Sequence, residues 1–179
     1  QPIFMPFSDP EKNIAQFMLG EGMHVADLGS GSGAYTIAAA RAVGREGRVF
    51  AIDVQKDLIE KVRHHARPIG LMNVEISWGD LEKLGGTKLL DASVDAAIVT
   101  NVLFQVGDKR AVVLEAKRIL KPRGKALVVD WRESFGNLGP RESDIVSEKA
   151  AHELFEREEF TIEKVITAGE HHYGFVARL

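Results

Sequence analysis

The densest chemical signal in the chain is Asp27-Leu28-Gly29-Ser30-Gly31-Ser32-Gly33. Glycines at every second position let the backbone turn tightly and leave no Cβ between it and a ligand. An apolar run, Met23 to Leu28, precedes the loop, and an Ala-rich helical pattern, Ala34 to Val43, follows it. The loop therefore opens a helix, whose unpaired N–H groups and positive dipole end face anything bound there. The next apolar run, Arg48 to Asp53, closes on an acid about 20 residues after Gly33. A carboxylate at that place can accept hydrogen bonds from both hydroxyls of a ribose. Loop and acid together point to a nucleoside cofactor.

Two details bear on which nucleoside. The dinucleotide fingerprint needs its third glycine one position later, where Ala34 stands. Asp27 would also set a negative group against a diphosphate, whereas an ammonium and a sulfonium meet no such conflict. These features favour S-adenosylmethionine over NAD, with an NAD-dependent reductase as the rival. Residues 27–33 resemble motif I of class I S-adenosylmethionine-dependent methyltransferases. Asp53 looks like that family's ribose-binding acid, and Gly79-Asp80-Leu81 like the segment that meets the adenine amino group. The stretch from Asp95 to Asn101 is similar to motif IV, and residues 120–125 to the turn into the fifth strand. Residues 169–175 are similar to the last hairpin of small ubiquinone/menaquinone-biosynthesis-type members.

The resemblance implies a site. Asp27, Gly29, Ser30, Gly31 and Gly33 would form its loop, with backbone at Gly29 and near Asn101 receiving the amino-acid end of the cofactor. Asp53 would take the ribose; Val54, Gly79, Asp80 and Leu81 would surround the adenine. Methyl transfer from a sulfonium is an in-line displacement with a good leaving group, so the protein's main task is alignment, with S-adenosylhomocysteine as product. A non-catalytic S-adenosylmethionine-binding module is the competing class. No metal is required, and no catalytic base is singled out. Tyr35, Asp130, Glu133, His152, His171, His172 and Tyr173 are the candidates near strand ends and loops. Alternation along a strand sends His171 and His172 to opposite faces. His64 and His65 end a basic helix, where cations suit the dipole. Phe4 and Phe7 could close over the cofactor or pack on the first helix.

Short apolar runs alternate with helical patterns throughout, which predicts βαβ units and a parallel sheet. Ser8 reads as the cap of a first helix, with Pro10 in its first turn and Glu11 as capping-box partner. Further helices are expected over Lys56 to Arg67, from Asp108 to a stop at Pro122 and Gly124, and over Ser143 to Arg157. Asn73 to Trp78, Val94 to Thr100 and Lys125 to Trp131 read as strands. The last two strands, Phe160 to Thr167 and Tyr173 to Leu179, are joined too briefly for a parallel return. The expectation is an α/β, Rossmann-like doubly wound sheet of about seven strands, mostly parallel, ending in an antiparallel hairpin.

Composition narrows the rest. The 179 residues are expected to form one domain, 1–179. With 0 Cys, thiolate metal sites, disulfides and cysteine nucleophiles are excluded. No apolar run approaches the roughly 18 residues of a membrane span, and the N-terminus does not read as a signal peptide, so a cytoplasmic setting is expected. A net charge of −3 does not favour nucleic acid. Residues 130–163 carry ten acids against four bases, a balance that would repel phosphate backbones over an acceptor mouth. Lys117, Arg118, Lys121, Arg123 and Lys125 oppose this, but they sit at a helix C-terminus, where a structural role is expected. After Asn101 comes Val102-Leu103-Phe104, not the Pro-Pro-aromatic run of base-amino methylases. A small-molecule acceptor is expected, with a transfer-RNA-type methyltransferase as alternative. With no insertion large enough for a lid, the acceptor pocket would be open or completed by a second subunit in a homodimer.

Overall fold

The computed structural model describes residues 8–179. The elements, in chain order, are α1 (Pro10–Phe17), β1 (His24–Leu28), α2 (Ala34–Val43), β2 (Arg48–Asp53), α3 (Lys56–Ala66) and β3 (Val74–Trp78). There follow β4 (Val94–Thr100), α4 (Lys109–Ile119), β5 (Leu120–Trp131), α5 (Glu148–Arg157), β6 (Thr161–Ile166) and β7 (His172–Arg178). Seven strands form one sheet in the order β3-β2-β1-β4-β5-β7-β6. The first five are parallel, and β7 runs antiparallel between β5 and β6. The expected doubly wound sheet and closing hairpin are both present. Strand order reverses between β1 and β4, which opens a crevice at the carboxyl ends of those strands.

β4 explains why helices must cover both faces. It is almost wholly apolar, and residues 96–100 are buried. Ala97 and Val99 join a core with Leu28, Val112 of α4 and Phe155 of α5. Ala96 and Ile98 point the other way, into a core with Phe17 of α1 and Ala39 of α2. Period-two alternation thus feeds two apolar layers from one strand. Among the described residues no helix is long and apolar enough to cross a membrane.

Several boundaries differ from the sequence reading. Asp9, not Ser8, caps α1, its carboxylate accepting the Lys12 N–H at 3.2 Å. Pro10 occupies the first helical position, which makes its predecessor the cap; Ser8 instead bonds the Tyr35 hydroxyl at 2.7 Å, and Glu11 pairs with Arg41. The helix expected from Ser143 begins only at Glu148, because Ser147 caps it through the Ala150 N–H, while Glu142–Asp144 forms a separate 3-10 turn. α4 passes directly into β5 at Leu120, ahead of Pro122 and Gly124. Leu120 opposes Val94 and Lys125 opposes Ala96, so residues 121–124 bulge from the ladder, which is where a proline can sit in a strand. Phe4 and Phe7 lie outside the described residues.

Four of the five residues of the basic cluster are held by internal bonds. Lys117 pairs with Glu159, Arg118 with Glu115 and Asp91, and Lys121 with Asp95. Lys125 is buried under α1, where its Nζ donates to the Phe17 and Met18 carbonyls at 2.7 and 2.9 Å. Those carbonyls end the helix and have no next turn to bond them. Burial holds the Lys125 pKa below its usual value, so part of what these bonds contribute is offset by desolvation. Lys125→Met keeps the stem and removes the donors. It is expected to lower unfolding free energy by about 1–3 kcal/mol in urea titrations, whereas Arg123→Met, at an exposed bulge, is expected to change it by under about 0.5 kcal/mol.

Candidate functional site

At the carboxyl edge of the sheet, Asp53 is the hub. One carboxylate oxygen accepts the Gly31 N–H at 2.9 Å and the other accepts the Gln55 N–H at 2.9 Å. Its carbonyl accepts the Gly79 N–H at 3.1 Å. The loops after β1, β2 and β3 are therefore laced together at one residue. Gly29 and Ser30 add a second lacing, both donating to the Ile52 carbonyl at 2.8 and 3.0 Å. A carboxylate oxygen has more than one acceptor direction, so Asp53 retains capacity toward a ligand in the crevice.

The floor of the crevice is built from the next strands. Gly29 sits at φ +78°, and a Cβ there would lie 2.5 Å from Val102 Cγ2. Only glycine lets the β1 loop and the β4 loop meet so closely. Gly33 plays the same part behind the loop, where a Cβ would come 2.9 Å from Val62 of α3. Val102 is held in turn by Asp130, whose buried carboxylate accepts the Leu103 N–H at 2.9 Å and the Trp131 N–H at 2.8 Å. Burial, opposed by these N–H bonds, pushes the Asp130 pKa up to about 6. On the opposite side, Glu82 accepts the Asp108 N–H at 2.6 Å, tying the segment after β3 to the start of α4.

These elements enclose a cavity of about 630 Å³, within the range of small-molecule sites. Gly29, Ser30, Gly31, Asp53, Val54, Gly79, Asp80, Leu81 and Asn101 all line it. Asp27 and Gly33 do not; they lie behind the loop and shape it. Asp95, at the start of β4, is at the far end of the sheet and bonds the His24 N–H and Lys121.

Of the base candidates, His172 and Tyr35 line the cavity, and Asp130, Glu133, His152, His171 and Tyr173 do not. His152 is turned edge-on to Phe175 at 4.4 Å, as a packing residue of α5. His171 stacks on Phe135 and lies 2.9 Å from Glu133. The sequence reading missed Ser8, Pro10, Gln55 and Gln105 as lining residues. Gln105 had a local signal, since it stands four residues after Asn101 and its amide donates to that carbonyl at 2.6 Å. Ser8 and Pro10 reach the cavity through tertiary packing of α1, where Tyr35 and Asn13 bond at 2.7 Å, and no spacing in the sequence shows that.

Residues 19–172 match the methyltransferase-domain family. The chain belongs to that family. The domain is similar to a solved S-adenosylmethionine-dependent methyltransferase from Aquifex aeolicus: TM-score 0.87 and 29% identity, covering 99% of this chain and 93% of that one. An arsenite methyltransferase from Aquipseudomonas alcaligenes is 34% identical over 114 residues, 62% of this chain and 33% of that protein. A ubiquinone/menaquinone biosynthesis C-methyltransferase (UbiE) from Klebsiella pneumoniae is 32% identical over 111 residues, 62% of this chain and 43% of that protein. The matches thus span less than half the length of these curated relatives. The class I resemblance read from motif I and its spaced acids stands.

Behind the loop of the domain, Asp27 is fully buried; the Thr36 hydroxyl donates to one of its carboxylate oxygens at 2.6 Å and the Thr36 backbone also bonds the carboxylate. Burial pushes its pKa up to about 7, against the Thr36 bond that lowers it and with a further push from the Asp53 charge. Asp27 is therefore not the fixed negative charge that the sequence argument against a diphosphate assumed. An unfolded aspartate ionises near 4, so between about pH 4 and 7 the folded state holds a proton that the unfolded state has lost. This group's stabilising effect is complete below that window and is lost as pH rises through it. Asp27→Asn, which keeps an acceptor for Thr36, removes the dependence. Relative to wild type, its unfolding free energy is expected to gain about 1–4 kcal/mol between pH 4 and pH 7.5. Urea titrations at the two pH values check this; a difference independent of pH would contradict it.

Proposed function

We propose that this domain, residues 1–179 acting as one unit, binds S-adenosylmethionine in the cavity and transfers its methyl group to a small-molecule acceptor. The observation that carries the reading is the 2.9 Å bond between the Gly31 N–H and the Asp53 carboxylate. It sets a loop without side chains beside an acid suited to ribose hydroxyls. The donor set fits the cofactor in other ways. Ser30 Oγ is buried without a protein partner among the described residues, in a residue lining the cavity. Three carboxylates, Asp53, Asp80 and Glu82, line the cavity and suit a cationic ligand. In this reading Gly29, Ser30, Gly31 and Asn101 receive the amino-acid end and Asp53 the ribose, while Val54, Gly79, Asp80 and Leu81 surround the adenine. Asp27 and Gly33 hold the loop from behind.

The cofactor supplies an activated methyl group and a neutral thioether leaving group. The chain's task is to align the acceptor with that group and to exclude water. The relatives' names include arsenite and, for a C-methyltransferase of ubiquinone/menaquinone biosynthesis, carbon among the atoms methylated. Trivalent arsenic is a soft centre matched by thiolates, and this chain has 0 Cys. An organic acceptor therefore fits this chain better. No observation favours RNA, since Lys117, Arg118, Lys121 and Lys125 are held by internal bonds.

Thermal unfolding tests the cofactor. S-adenosylhomocysteine is expected to raise Tm and NADH to leave it unchanged; the reverse pattern would support a reductase. Asp53→Ala is expected to weaken S-adenosylmethionine binding by about 1–3 kcal/mol in calorimetry, and unchanged affinity would remove Asp53 from the site. Formation of S-adenosylhomocysteine with a panel of phenols, thiols and quinols separates an enzyme from a binding module.

A further inference from the structure

The segment between β3 and β4 is gripped from behind by one ion pair of α4. Glu115 is fully buried. Its Oε2 accepts the Gly85 N–H at 2.8 Å, and its Oε1 accepts the Thr87 N–H and hydroxyl at 3.1 and 2.6 Å. Arg118 donates to the same carboxylate, from Nε to Oε2 at 2.9 Å and from Nη2 to Oε1 at 2.7 Å. Its Nη1 reaches on to the Leu89 carbonyl at 2.9 Å and to Asp91 at 2.6 Å. A two-point fork of this kind fixes orientation as well as charge. Desolvation offsets much of what a buried pair contributes to stability, so stability alone is weak grounds for one here.

What the pair holds is Gly86. The two carboxylate oxygens take the residues on either side of it, in a turn that two adjacent glycines would otherwise leave loose. A Cβ on Gly86 would lie 1.8 Å from the Asp80 carbonyl, and one on Gly79 would lie 2.5 Å from the Gly86 carbonyl. Gly86 is therefore pressed against the backs of Gly79 and Asp80. Those two residues, with Leu81 and Glu82, form one wall of the cavity, whereas Glu115 does not reach it. The grip extends to a neighbouring part of the wall through Lys88, whose Nζ lies 4.9 Å over the Trp78 ring. The Trp78 indole N–H donates to the Val54 carbonyl at 2.8 Å, and Val54 lines the cavity. The start of α4 takes the front of the same segment, through the bond from the Asp108 N–H to Glu82.

We propose that Glu115, locked by Arg118, is a positioning residue for recognition of the cofactor's base: it fixes the Gly79–Glu82 wall at the place where the Asp80 carboxylate meets an amino group on that base. The proposal rests on the methyl-transfer reading above, in which this wall surrounds the adenine. The Asp80 carboxylate is itself set by the Glu82 N–H at 3.0 Å and by Lys83 at 3.2 Å. An ionised carboxylate only accepts hydrogen bonds, so a base with an oxygen in place of the amino group would set acceptor against acceptor. A wall able to shift would relax away from that mismatch. A wall fixed from behind cannot, and selectivity for the amino group then depends on the grip.

The test compares S-adenosylhomocysteine with S-inosylhomocysteine, whose base carries an oxygen where adenine carries its amino group, by calorimetry on the whole chain. The wild type is expected to bind the adenosyl compound about 10- to 100-fold more tightly. Glu115→Gln turns an amide donor toward N–H groups or the Arg118 fork, and is expected to cut that preference about tenfold. Thr87→Val leaves the ion pair in place and removes one hydroxyl, and is expected to cut it about threefold. Lys125→Met, whose stability loss falls in the other apolar layer under α1, is expected to keep the wild-type preference. Where only one of the two grip variants folds, its preference decides. An unchanged preference in the grip variants, or an equal fall in Lys125→Met, would overturn the proposal. Failure of both grip variants to fold would also overturn it, by making the ion pair a requirement of the fold alone. Equal binding of the two compounds by the wild type would overturn it and leave the methyl-transfer reading standing. Failure of the wild type to bind S-adenosylhomocysteine would overturn that reading and this inference with it.

Discussion

The bond between the Gly31 N–H and the Asp53 carboxylate is the constraint on which the cleft depends. It joins the loop after β1 to the end of β2, and the Asp53 carbonyl extends the link to Gly79 after β3. Three loops that a parallel sheet would otherwise leave independent become one surface. The arrangement is preorganised: the amides and the acid are placed by strand ends that are themselves buried, so a ligand orders little on binding. On the other side, Asp130 does comparable work for the loop after β4, and it holds Val102 against Gly29. Two acids, one at a cavity wall and one beneath it, fix the geometry from opposite sides.

The two acids differ in environment, and this separates their roles. Asp53 faces the crevice with acceptor capacity to spare, whereas Asp130 is enclosed and spends its oxygens on backbone N–H groups. Asp27 is a third case, buried behind the glycines and raised toward neutrality. A cationic ligand in the crevice would favour its ionised form, which couples cofactor charge to the proton content of the loop.

Much of this was legible in the sequence because local and tertiary demands agreed. Val94–Thr100 could hardly be anything but a central strand, and Asp108 caps α4 as read, accepting the Ala111 N–H at 3.0 Å. The glycine loop and Asp53 were readable because their spacing is set by one βαβ unit. Where local signals competed, reading failed. Ser143 and Ser147 are equally good caps, and only packing of α5 chose the second. Pro122 reads as a helix stop, yet a bulge absorbs it inside β5. The cavity wall around Asn101, Trp131 and His172 was the least legible, since these residues come from the ends of β4, β5 and the start of β7 with no spacing that links them. His152 and His172 were both candidates in sequence; α5 turns His152 edge-on to Phe175, whereas the β5–β7 register sets His172 opposite Trp131 at the cavity.

The most direct measurement is a crystal structure of the protein grown with S-adenosylhomocysteine. The account predicts density across the carboxyl edge of β1 and β2, with both ribose hydroxyls within hydrogen-bond distance of Asp53 and the amino-acid end against Gly29 to Gly31. Density for the ligand elsewhere, or a ribose turned away from Asp53 with the glycine loop uncontacted, would contradict it.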